Sequence, residues 1–168
     1  MINEQLAGAK FCTTSGLLTA TGAETVYDTT VTINYAINGK LATKTAVTDG
    51  VTPIADYNTG LAFPYLVGGA SVAGAYGNGC IVVWGLVSGG TVKCVMGPHS
   101  PLNVSGNFIN PPQFPAIKEE FVPFAYQVLK AGATAAVTIL FGTSNWNATG
   151  FTNAIVNVAV LPARPQVS

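Results

Sequence analysis

Charge is what this chain has least of. Asp, Glu, Lys and Arg make up 8 % of its residues, against about a quarter in ordinary soluble domains, while the apolar share of 49 % is ordinary. The deficit is one of surface charge, since a monomer kept soluble by interspersed charge carries roughly three times as many such residues. The expectation is a surface largely covered by partners. Seven basic and seven acidic residues cancel to a net charge of zero and are scattered along the chain. No basic stripe exists to neutralise phosphates, which argues against nucleic-acid binding.

Other absences narrow the field. No run approaches about eighteen consecutive apolar residues, which excludes a transmembrane helix, and strands of about ten residues are too few for a membrane β-barrel. The first ten residues lack a basic stretch followed by an apolar one, so no secretory signal is expected. Cys12, Cys80 and Cys94 are an odd set that cannot complete a disulfide framework, and buried free thiols suit assembly in a reducing cytoplasm. His99 is the single histidine, between Pro98 and Ser100, with no cysteine pair at metal spacing and no carboxylate cluster beside it. It reads as a loop residue. A hydrolase would need a pocket in which His99 meets a carboxylate or a serine, and no nucleophile-elbow motif is present. Glu119 and Glu120 are adjacent, so on a strand they point to opposite faces and cannot flank one glycosidic bond. No catalytic residue, metal or cofactor is expected.

What is present is β-structure, organised around residues 81–96. Ile81-Val82-Val83-Trp84-Gly85-Leu86-Val87 is dense in β-branched and aromatic types, and Ser88-Gly89-Gly90 separates it from Thr91-Val92-Lys93-Cys94-Val95-Met96. This reads as a hairpin whose first strand is buried on both faces. Cys94 then faces Gly85 if the two-residue loop is Gly89-Gly90, or Val83 if it is Ser88-Gly89. Two buried faces need two covers, and the charge deficit places the second near a subunit interface.

Elsewhere the pattern is all-β. Val31, Ile33, Tyr35 and Ile37 alternate with polar residues, and Asn38-Gly39 then favours a type I′ turn into a return strand from Lys40 to Val47. The simple register puts Lys44 opposite Ile33, so either the return strand is bulged or that face is incompletely covered there. Asp56-Tyr57-Asn58-Thr59-Gly60 reads as a turn built on aspartate side-chain bonds, not a Ca²⁺ loop, and a short strand follows from Leu61 to Val67. The glycines from Gly68 to Gly79 deliver the chain to the central strand and lack the ending of a phosphate-binding loop. Strands are expected from Phe121 to Leu129, with Pro123 arguing for an edge position, from Ala135 to Phe141 after a hairpin-length loop, and from Asn153 to Leu161.

Three aromatics stand out as contact candidates. Phe108 and Phe114 lie in a proline-rich excursion after Met96, and either fold back on the core or anchor a partner. Trp146, in Ser144-Asn145-Trp146-Asn147, sits in a loop where it could meet a partner or stack on a sugar. The first 25 residues, rich in Thr, Ala and Gly, read as an extended arm able to add a strand to a neighbour, or as a frayed terminus with one short strand. The division is thus an arm over residues 1–25 and a β domain over residues 26–168, a single antiparallel β-sandwich or jelly-roll-like fold.

Tyr35-Ala36-Ile37-Asn38-Gly39-Lys40, Asp56 to Phe63, Gln113-Phe114-Pro115, Pro123-Phe124-Ala125-Tyr126 and Leu161-Pro162-Ala163-Arg164-Pro165-Gln166 together resemble small β-rich virion proteins of tailed bacteriophages. The resemblance implies a capsid cement or decoration subunit. Such a subunit is a homo-oligomer, commonly a trimer, made in the host cytoplasm and bound to the major capsid protein lattice on the head exterior. It implies no enzyme activity, no nucleic-acid or membrane partner and no cofactor. The alternative is a carbohydrate-binding or fibre-associated virion module using Trp146, Asn145 and Asn147.

Overall fold

The computed structural model describes residues 10–14, 17–20, 25–69, 76–132, 138–145 and 148–167. In chain order their strands are β1 (Phe11–Cys12), β2 (Leu18–Ala20), β3 (Val26–Thr29), β4 (Ile33–Ile37), β5 (Lys40–Lys44), β6 (Val47–Val51), β7 (Leu66–Val67), β8 (Asn78–Leu86), β9 (Val92–Met96), β10 (Ser100–Pro101), β11 (Val122–Ala131), β12 (Thr138–Ile139) and β13 (Phe151–Asn157). The domain is all-β, as its patterning predicts, and the strands pair antiparallel.

The main sheet runs β10-β8-β11-β13, with β9 pairing the same edge of β8 as β10. Three smaller sheets, β1-β4-β5, β2-β3-β6 and β7-β12, lie against one face of it in a sandwich-like arrangement. Cys80, Val82, Trp84 and Leu86 point into that core beside Tyr27, Ile33, Tyr35 and Phe141. Trp84 packs edge-on to Phe141 at 5.7 Å and tilted against Tyr27 at 5.1 Å, so it is a core residue.

The other face of β8 carries Ile81 and Val83, and both are 0 % exposed. The expectation of two buried faces holds. The chain covers this face itself, with Tyr57, Phe108, Phe114, Ile117, Phe121 and Leu161. The proline-rich excursion and the closing residues supply the apolar cover that the charge count had assigned to a partner.

The turn after β4 forms as expected, with Asn38 and Gly39 at φ 49° and 72°. Its register is the simple one, and Lys44 stands opposite Ile33 without a bulge. The central hairpin differs from both expected registers. Gly89 and Gly90 are each at positive φ, 84° and 75°, and the loop spans three residues closed by Val87 N–H on Thr91 O. The extra residue shifts the pairing by one, so Cys94 faces Trp84.

Three further expectations are corrected. Pro123 does not mark an edge, because β11 lies between β8 and β13. It stands at a bulge between Pro123 and Ala125, beyond the first pair with β13, where the missing N–H costs no ladder bond on that side. The strand expected from Ala135 does not return along β11. Its described part, β12, pairs β7, and β11 pairs β13 instead. Nor do the described residues of the expected arm reach outward. β1 and β2 add to the chain's own sheets, and Cys12 and Leu18 are core residues.

Candidate interaction surface

The segment from Ile54 to Tyr65 is built around one carboxylate. Asp56 Oδ1 accepts the N–H groups of Asn58 and Thr59 at 2.9 and 3.0 Å, and Oδ2 accepts the N–H of Met96 at 2.8 Å. Gly60, at φ 72°, closes the turn by donating to Asp56 O at 2.7 Å. The aspartate turn is therefore structural, and it clamps this segment to the end of β9, where Tyr57 N–H donates to Cys94 O at 2.9 Å.

Holding the turn there opens a groove of about 460 Å³, walled by Leu61, Pro64, Met96, Pro98 and Pro115 and closed below by Gly97. Backbones meet closely at Gly97, where a β-carbon would lie 2.7 Å from Gln113 O. Leu61 is 70 % exposed on the groove's rim, with Ile54 and Tyr65 exposed in the same segment. Of the strand expected from Leu61 to Val67, only Leu66–Val67 forms. The prolines at 64, 98 and 115 were the available signal, since each bars regular pairing where an open wall now stands.

A second groove, of about 810 Å³, lies between the proline-rich excursion at 110–114 and residues 163–165. Its floor is fixed by Phe114, which packs edge-on to Tyr126 at 5.1 Å, and by Gln166 N–H donating to Tyr126 Oη at 2.8 Å. Arg164 supplies its positive charge.

Of the contact candidates, Phe108 and Phe114 both fold back on the core, each half-buried against the second face of the main sheet. The Lys130 ammonium lies 5.3 Å from the Phe108 ring centre. Trp146 lies outside the described residues. His99 is half-buried between β9 and β10, its Nδ1 3.4 Å from Asn78 Nδ2, and burial holds its pKa below the ordinary range. Burial pushes the Cys12 and Cys80 thiols up to about 12 and raises Cys94 well above its ordinary value. Among the described residues no group of three or more His, Cys, Asp or Glu is placed to hold a metal.

In comparisons with known proteins, no family model matches the chain, no curated protein matches it significantly, and no solved structure matches it significantly.

Proposed function

We propose that the chain is a structural subunit of a tailed-bacteriophage virion, a cement or decoration protein that self-assembles as a trimer and binds the capsid lattice on the head exterior. The observation that carries this reading is the apolar groove under Leu61, which opens on the surface of a chain with 8 % charged residues. Burial of such a surface against a protein lattice is driven by apolar area alone and needs no catalytic group. The aspartate at its base has its oxygens committed to backbone N–H groups, so its role in this reading is to hold the groove's shape.

The test is co-sedimentation with phage heads lacking the subunit, comparing the natural chain with Leu61→Asp. Saturable binding that the variant loses, with its circular dichroism and melting unchanged, supports the reading. Equal binding by both chains removes the groove from it. Absence of binding together with a specific hit on a glycan array replaces it with the carbohydrate-binding alternative.

A further inference from the structure

Among the described residues two edge strands, β5 and β13, each run in unbroken register along a single neighbour, and β5 is the one flanked by two lysines. The outer edge of β9 is met by Asp56 and Tyr57, and the segment after β13 is met by Cys12 N–H on Ala159 O at 3.2 Å. β6 is kinked at Asp49, which sits at φ 51°, and its pairing with β3 shifts register. β5 has none of these devices: it runs in unbroken register along β4, at the end of the order β1-β4-β5. Alternation from the two-residue turn makes Lys40, Ala42 and Lys44 the residues bonded to β4. The N–H and C=O groups of Leu41 and Thr43 therefore point outward, and among the described residues nothing bonds to them. Leu41 is 74 % exposed.

We propose that β5 is a docking edge for an extended acidic segment of another protein, which adds to the sheet as a strand. Lys40 and Lys44 lie on one side of β5, about 13 Å apart along it. Pairing with a second copy in the register that uses both open residues is disfavoured by the same two lysines. Antiparallel pairing of two β5 strands through Leu41 and Thr43 sets Lys40 against the other copy's Lys44, twice, and like charges directly opposed are destabilising. Carboxylates four positions apart on an incoming antiparallel strand meet both lysines instead, while its backbone takes the two free donors and two free acceptors. In a chain with seven cationic side chains, two of them bracket this edge. The inference does not rest on the virion reading.

The experiment uses the full chain and a seven-residue extended peptide carrying two glutamates four positions apart, with a two-lysine peptide as control. Binding is followed by fluorescence anisotropy and by amide hydrogen exchange. The glutamate peptide is expected to bind at least about fivefold tighter than the lysine peptide and to slow exchange at Leu41 and Thr43. Reversing both charges, with Lys40→Glu and Lys44→Glu, should invert that preference. Thr43→Pro removes an outward N–H without taking a bond from β4, so it should abolish peptide binding while the melting temperature holds. Equal affinity for both peptides, unprotected Leu41 and Thr43 amides, or protection of those amides in the chain alone through self-pairing would overturn the proposal.

Discussion

The indole Nε1–H of Trp84 donates to Gln127 Oε1 at 3.0 Å, in a core where Trp84 is 0 % and Gln127 1 % exposed. Gln127 Nε2 in turn donates to Asn153 Oδ1 at 2.6 Å, so one side-chain chain crosses β8, β11 and β13. A buried amide is tolerated here because both of its ends are engaged. Gln127→Ala takes the acceptor from the indole and the donor from Asn153 and leaves a small cavity. It is expected to lower unfolding free energy by about 2–4 kcal/mol, read from urea midpoints.

Gly85 is required by a close approach rather than by its backbone angle. A β-carbon there would clash with Cε1 and Cζ of the Phe121 ring, which stacks on Tyr57 at 5.8 Å. Gly85→Ala should cost about 1–3 kcal/mol through overpacking. Adding Phe121→Leu should recover part of that loss, and a thermal double-mutant cycle reads the coupling.

The pH profile should be squeezed from both sides. His99 has its folded pKa lowered by burial, so the unfolded chain takes up the proton first and stability falls as pH drops below about 6.5. His99→Gln should melt with a smaller loss between pH 7 and pH 5 than the natural chain. At the alkaline end Cys12, Cys80 and Tyr27 are pushed up to about 12 by burial. The unfolded chain therefore loses those protons first, and stability falls as pH rises from about 9 towards 12.

Truncation separates an arm from a core element. Deleting residues 1–25 removes β1, β2 and the core side chains of Cys12 and Leu18. The deletion is expected to lower the melting temperature by more than about 5 °C. An unchanged melt would show that these residues add nothing to the stability of the fold.

Local chemistry was readable and long-range pairing was not. The Asn38-Gly39 turn and the aspartate turn at Asp56 follow from backbone preferences of two to five residues, and both form as expected. The double burial of β8 was legible because seven successive residues hold no charge. Its cover was not, since nothing local tells Phe114 that it will lie on Tyr126. The register of the central hairpin turned on whether two adjacent glycines would both take positive φ, which composition alone leaves open. Pro123 misled because a bulge excuses proline from an interior strand as well as an edge does. The groove is not legible in the sequence because Leu61 and Pro64 fit the pattern of a short strand, whereas the Asp56 clamp leaves them exposed.

The proposed self-assembly of this charge-poor chain is tested most directly by its mass in solution. Light scattering after size exclusion, over a hundredfold range of concentration, should return a mass three times that of the chain throughout. A single monomer mass over the same range would contradict the account.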